Sequence, residues 1–285
     1  MIKVSDPIYG TVELPQVFED LLNTTALNRL KKIHHSGAIF LVNPGICHSR
    51  LEHSIGVMLL VRFVGGSELE QIAGLLHDLS HTVFSHVGDY IFDNKEENYH
   101  EQLFEDVLKE SGIPEILRIH GYELEQLLKG SFPILEQPLP RLCADRLDYT
   151  LRDAMHAQLI SRAQARAFLN EITLQDGLIV VKSQESAEWI DQVFKHINQE
   201  IYNKPLYVYA NQELALLIRK FIDSGQIKES DLMKDDTFML NKIRSIPQGF
   251  DGIKAIKQQR GFARFLRKGP SLQIKTRQLR AMVKE

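Results

Sequence analysis

The chain has 285 residues, 44% hydrophobic and 25% charged, with a net charge of −3, an ordinary globular mixture long enough to bury a sizeable core. No apolar run approaches the ~20 residues of a membrane-spanning helix, and the opening MIKVSDPIYG lacks the apolar stretch of a secretory signal. Two cysteines, Cys47 and Cys143, form no CxxC pair and exclude a disulfide framework; two buried thiols in a cytoplasmic protein, with no membrane partner, are the expectation.

Apolar positions Val17, Leu21, Leu22, Leu27, Leu30 and Ile33 recur at helical intervals and predict a helix over 15–35, punctuated by Ser36-Gly37. Ala38 to Val42, closed by Asn43-Pro44-Gly45, reads as a short strand or extended stretch before a turn. Helices are expected over 50–64, 68–78, 98–111, 114–129, 138–158 and 161–169. Ile172 to Lys182, with Gln175-Asp176-Gly177 at its centre, is the clearest hairpin signal. Helical stretches follow through Trp189 and Phe194 and over Gln212 to Ile222. The expected fold is mostly α, a helical bundle with a small β-hairpin. The hairpin is the best place to divide a catalytic core, 1–170, from a C-terminal helical elaboration, 171–285, with a single domain as the alternative.

Charge is uneven along the chain. From Lys254 onward stand ten Lys or Arg and one acid, Glu285, leaving 24 basic against 36 acidic residues before them. Such a basic tail suits nucleic acid, a phosphorylated ligand or an acidic partner subunit, or is simply a solvated helix and terminus. Aromatic interleaving there is thin (Phe250, Phe262, Phe265), which gives little support to a single-strand binding groove.

Eight of the eleven histidines lie between His34 and His100. Histidine adds little helix stability or apolar burial, so this density asks for a chemical reason. His48 and His53 precede or open one helix, His77-Asp78 ends another, and His81, His86 and His100 follow. Imidazole with carboxylate is a ligand set for Zn, Mn, Fe or Ni, whereas Mg prefers oxygen. His77 and His81, four apart, share a face of any helix that continues through them. A second cluster, Asp145 to Asp153 followed by His156, puts a carboxylate (Asp145), a phenol (Tyr149), a cation (Arg152) and an imidazole on one helical face; Asp148 and Arg152 also fit a surface ion-pair ladder.

In order and combination these motifs resemble the HD-domain deoxynucleoside triphosphate triphosphohydrolases. The likeness runs through Asp6-Pro7-Ile8-Tyr9-Gly10, Leu30 to Gly37, and Asn43 to Val57 with its Arg50-Leu51-Glu52-His53. It continues through Ala73 to His81, Phe84 to Asp89, His100-Glu101 and Asp145 to Asp153, about the first 155 residues. It implies an HD-type helical bundle and a divalent metal (Mn, Fe, Zn, Ni or Mg) held by His53, His77, Asp78 and Asp145. It further implies a catalytic set His81, His86, Asp89 and His100, with Asp89 orienting His86 as general acid. Arg50 and Arg146 would bind phosphate, and His35, Tyr149, Asp153 and, more loosely, Tyr207 would line the sugar and base site. A nucleotide is the implied substrate and a homo-oligomer the implied assembly. A nucleoside mono- or diphosphate as substrate, and a nucleic-acid-binding or regulatory module, are the alternatives.

Three departures bear on substrate. His35-Ser36-Gly37 replaces the family's Gln-Leu-Gly, whose leucine helps exclude a 2′-hydroxyl, so strict deoxyribose selection is not implied. Asn23, Asn28 and Lys31 replace the residues that bind an activating guanine nucleotide, which argues against such an effector site. Residues 197–209 lack arginines for distal phosphates and offer only Lys204.

Overall fold

The structure is a computed structural model and describes residues 1–270 and 277–285; the expected role of Lys275 in the basic tail lies outside them. Fifteen α-helices and two β-hairpins make up the regular structure among the described residues, and no helix there is long and apolar enough to cross a membrane. The mostly helical expectation holds, with one hairpin more than foreseen. That extra hairpin pairs β1 (Ile2–Asp6) antiparallel to β2 (Gly10–Leu14), Ile2 opposite Leu14. Asp6 Oδ1 accepts from the Ile8 and Tyr9 amides and Gly10 takes φ +80°, which closes the turn.

The helix expected over 15–35 is two short ones, α1 (Gln16–Leu22) and α2 (Thr25–Leu30). Thr24 breaks it: its hydroxyl donates to Leu21 O and accepts from Leu27 N, capping α2. The expected strand at Ala38 to Val42 is a 3₁₀ turn, Gly37–Leu41. Its backbone is held by a side chain, not a neighbouring strand, for Ala38 N donates to Asn211 Oδ1 at 2.7 Å.

Helices α3 (Arg50–Phe63) and α4 (Glu68–Leu76) follow and pack on each other. Leu59, Leu60 and Val61 of α3 are buried, each stabilising by about 1.5–3 kcal/mol. The helix of α4 stops at Leu76, so His77 and His81 do not share a helical face; a run of turns carries them instead. Next come α5 (Val87–Ile91) and α6 (Tyr99–Glu110), then α7 (Ile113–Ile119) and α8 (Leu124–Lys129), the last two divided at Gly121 with φ +82°. The prolines Pro138 and Pro140 precede α9 (Ala144–His156), which starts later than expected, and α10 (Arg162–Leu169) follows.

The second hairpin, β3 (Ile172–Gln175) with β4 (Leu178–Val181), lies where expected, with Asp176 and Gly177 both at positive φ. Beyond it are α11 (Gln184–Ile197), α12 (Pro205–Asp223), α13 (Asp236–Arg244), α14 (Pro247–Lys257) and α15 (Phe262–Lys268).

The principal core draws on residues from Ile8 to Ala281, so both sides of the 170/171 division pack together. A second core joins the 3₁₀ turn and α5 to α12, α13 and α14. Helix α12 enters both, with Tyr207 in the first and Ala210 to Phe221 in the second. Cys143 is buried as expected, but Cys47, on the 43–49 loop, is exposed. Trp189 stacks on Phe168 with ring centroids 5.0 Å apart, a packing role.

Candidate metal centre and active site

Ser49 caps α3 in a reciprocal box with Glu52, which fixes the first turn and sets Arg50 and His53 on one face. His53 is buried, with Nδ1 2.9 Å from Asp148 Oδ2. That contact puts a proton on Nδ1, and Nε2 faces Asp145 Oδ1 (3.0 Å) and Asp78 Oδ2 (3.7 Å). His77 caps the end of α4 and donates from Nδ1 to Gly74 O at 2.8 Å. Its Nε2 is buried without a hydrogen-bond partner, 3.4 Å from Asp145 Oδ1 and 3.5 Å from Asp78 Oδ1. Asp145 stands in the first turn of α9, where the helix N-terminus favours an anion.

His53, His77 and Asp145 bring one donor atom each within 4.8 Å of one another, and Asp78 adds oxygens 3.5 Å from His77 and 3.7 Å from His53, an arrangement that suits a metal ion. Donors bound at about 2.0–2.2 Å to one ion stand roughly 3 Å from each other, close to the separations here. Both imidazoles have the second nitrogen engaged by an oxygen, as metal-bound histidines do. Electrostatics agree. Burial holds the carboxyls of Asp78 and Asp145 up, but Arg50 and His77 for Asp78, and His53 and His77 for Asp145, outweigh it and keep both ionised. Burial likewise pulls His53 down, yet Asp145, Asp148 and Asp78 raise it to about 9. Carboxylates that favour a proton so strongly at this point favour a divalent cation there too.

Two buried networks brace the quartet. Arg50 donates from Nη1 to Asp78 Oδ2 (2.7 Å), from Nε to Ser85 Oγ (2.9 Å) and from Nη2 to His35 O (3.3 Å). Behind His53, Asp148 accepts from Tyr9 (2.8 Å) and from Nε and Nη2 of Arg152 (2.9 Å each), and Arg152 also donates to Asp6. Asp148 and Arg152 are fully buried, so this pair is not the surface ladder of the sequence reading. The Cβ that any other residue would bring to position 56 falls 2.1 Å from the Arg152 guanidinium, so Gly56 leaves room for it.

His81, His86, Asp89 and His100 gather beside Asp78. The turn carrying His81 and His86 is held from far along the chain: Val83 N donates to Leu232 O, and Phe84 N to Asp236 Oδ1 at 2.6 Å. These bonds support Phe84 and Ser85 at φ +57° and +54°, a backbone region that costs energy for such residues. His86 Nδ1 lies 2.9 Å from Asp89 Oδ2, with the His86 ring half exposed. His81 and His100 stack at 3.7 Å, and His86 meets both edge-on. Burial, then Arg50, drives His81 well below the usual imidazole range; burial, then His86, lowers His100 to about 3. Both rings are therefore neutral hydrogen-bonding groups.

A cavity of about 420 Å³ opens onto this cluster. His35, Arg50, Arg146 and Tyr149 line it, as does Ser36, whose Oγ is buried without a partner. Arg146 directs both terminal nitrogens at backbone carbonyls of Gln137 and Arg141, so it ties the 137–141 loop to α9. Asp153 and Tyr207 stand outside the lining. Asp153, fully buried, is 3.4 Å from His35 Nδ1 and 2.7 Å from His48 Nε2, the latter without hydrogen-bond alignment. Tyr207 instead accepts from Asn43 Nδ2 at 2.7 Å.

Residues the sequence reading passed over complete the wall. Tyr202 lines the cavity and donates to Asp153; Asn211 and Arg277 also line it. Four glutamates, Glu96, Glu97, Glu101 and Glu136, share the lining. Asn23 and Asn28 serve the break between α1 and α2, where the Asn28 amide donates to Leu22 O and Thr24 O.

Comparison with known proteins agrees with this geometry. The HD domain family matches residues 50–153. An uncharacterized Bacillus subtilis protein, YdhJ, is 43% identical over 246 residues, spanning 86% of this chain and 76% of that protein. The metal-dependent phosphohydrolase cns2 of Cordyceps militaris is 32% identical over 241 residues, 81% of this chain and 69% of that protein. The human deoxynucleoside triphosphate triphosphohydrolase SAMHD1 is 34% identical over 141 residues, which are 41% of this chain and 22% of that protein. A crystal structure of a hypothetical protein from Aquifex aeolicus superposes with a TM-score of 0.70 over 91% of this chain and 76% of that one, at 22% identity, a likeness of fold.

Proposed function

The chain belongs to the HD-domain metal-dependent phosphohydrolases, and on that footing we propose that it hydrolyses a phosphate ester of a nucleotide. Deoxynucleoside triphosphates, cleaved to nucleoside and triphosphate, are the leading substrate class. The observation that carries the reading is one cavity wall that brings together His77, Asp78 and Asp145, four further imidazoles (His35, His81, His86 and His100), and the Tyr149 and Tyr202 rings, with buried His53 reaching Asp145 at 3.0 Å. Aromatic faces with a polar edge suit a sugar and base. The similarity to SAMHD1 over the motif-bearing segment supports the triphosphate class.

A divalent ion held by the quartet supplies Lewis-acid stabilisation of charge on the phosphate; the two imidazoles favour Mn, Fe, Zn or Ni over Mg. Arg50 holds Asp78 in place and adds a fixed positive charge beside the phosphate site. Neutral His81 and His100 orient the phosphate or the attacking water by hydrogen bonds. His86, fixed through Nδ1 by Asp89, carries on Nε2 the proton that the leaving oxygen takes.

A second reading, a nucleoside mono- or diphosphate, is favoured by a specific feature. Glu101 and Glu136 of the lining oppose each added phosphate charge, and Lys204 is engaged with Glu200 and the Tyr207 face. Incubating the metal-reconstituted protein with ribo- and deoxynucleoside mono-, di- and triphosphates, with products identified by mass, separates the two. Free triphosphate supports the first, orthophosphate from monophosphates the second, and turnover of no nucleotide sinks both.

A further inference from the structure

Resting on the reading of a nucleotide-phosphate site, we propose that Arg277, delivered by the C-terminal segment, binds a phosphate of the substrate beyond the one at the metal. Among the described residues three arginines line the cavity: Arg50, Arg146 and Arg277. The first two are committed elsewhere. Arg50 is bound to Asp78, Ser85 and the His35 carbonyl, and Arg146 spends its terminal nitrogens on loop carbonyls. Arg277 differs, because its partner is the Glu97 carboxylate and both side chains are about one-third exposed (33% and 29%). A solvent-reached ion pair of that kind is weak and exchangeable. A guanidinium also has more N–H donors than one carboxylate can take, and its planar fork matches phosphate oxygens.

The fold fixes where this charge stands. Immediately after Arg277, Leu279 and Ala281 are buried in the principal core. Arg280 N donates to Pro140 O (2.9 Å) and Ala281 N to Asp191 Oδ1 (3.0 Å). Val283 then pairs in parallel with Val181, with Val181 N donating to Met282 O and Lys284 N to Val181 O, both at 2.8 Å. The segment is thus ordered before any ligand arrives, which lowers the entropic cost of placing the cation. Its charge is felt at Tyr149 and Tyr202, two of the three tyrosines of the wall. The cation also adds positive charge to a lining that carries Glu101 and Glu136. At least one charge of the basic tail is therefore directed inward at the site.

The test uses the full-length, metal-loaded protein and inorganic tripolyphosphate as probe, by calorimetric titration, with nucleotide kinetics in parallel. Arg277→Ala should weaken tripolyphosphate binding by about 10- to 100-fold, Arg277→Lys should recover part of it, and KM for nucleotides should suffer more than kcat. Glu97→Gln should tighten binding, since it removes the competing charge. Arg267→Ala, which deletes an exposed cation of α15, controls for net charge and should leave binding unchanged. Melting curves establish that each variant is folded. Affinity in Arg277→Ala within about twofold of wild type overturns the proposal. So does an equal loss in Arg267→Ala, or a loss in Glu97→Gln as large as in Arg277→Ala, which would mean that the pair only holds the segment in place. Arg277-dependent binding without turnover of any nucleotide keeps Arg277 and sinks the substrate reading; nucleotide turnover with unaltered binding and KM does the reverse.

Discussion

Replacing Asp148 by Asn probes the link between the buried ion pair and the metal centre. The carboxylate accepts four hydrogen bonds, one from Tyr9, one from His53 Nδ1 and two from Arg152, all between 2.8 and 2.9 Å. Burial alone would hold its carboxyl up, but Arg152 and His53 overcome this and keep it ionised far below the usual range. An asparagine retains one acceptor oxygen and turns the other position into a donor facing N–H groups. Arg152 is then left with Asp6 as its sole carboxylate partner, and breaking a buried pair in this way costs about 3–5 kcal/mol. The second consequence falls on His53, whose Nδ1–H loses its orienting anion; such losses lower metal affinity by about 10- to 100-fold. Urea unfolding of the protein in chelator gives the first quantity, and competition for metal against a calibrated chelator gives the second. Loss of stability with unchanged metal affinity would refute the assigned role of Asp148 in orienting His53. An unchanged stability would refute the account of the buried pair.

Further outcomes follow from the same geometry. His86→Ala should lower kcat by about 10²–10⁴-fold with metal content intact, and near-normal turnover would remove it as general acid. Asp89→Asn should cost less than His86→Ala in the same assay, since it disturbs only the ring's orientation. Ser36→Leu fills the space beside an unpartnered hydroxyl and should depress turnover of ribonucleotides more than of deoxyribonucleotides; an equal effect on both would detach Ser36 from sugar selection. Gly56→Ala forces the Arg152–Asp148 pair apart and should lower stability by more than about 1 kcal/mol, read as a fall in the urea midpoint.

What the sequence made legible was local. Adjacent or turn-spaced residues such as His77-Asp78 and Arg50-Leu51-Glu52-His53 carry their chemistry in the spacing itself, and α3, α6, α9 and the β3–β4 hairpin follow from periodicity and turn residues. Misreadings arose where a distant group decides the outcome. The 38–42 run has strand composition, but Asn211 holds its backbone in a helical turn. The strained turn at Phe84 depends on Asp236, 152 residues away. Tyr202, not Tyr207, reaches the cavity, after a π-helical turn at Asn198–Tyr202 that shifts the helical phase before α12. Asp148 and Arg152 have the i, i+4 spacing of any surface pair, and nothing in that spacing reveals that Asp6 and Tyr9 close over them. Arg277 had no local motif to mark it; its signal was the excess charge of the tail.

The central claim, that His53, His77, Asp78 and Asp145 hold the ion on which phosphate hydrolysis depends, is tested by one paired measurement. Metal content and nucleotide turnover are determined together for the reconstituted wild type and for a folded His77→Ala variant. Bound metal and turnover are expected in the wild type, and both are lost together in the variant. Turnover that persists in His77→Ala without bound metal, or in chelator-stripped wild type, would contradict it.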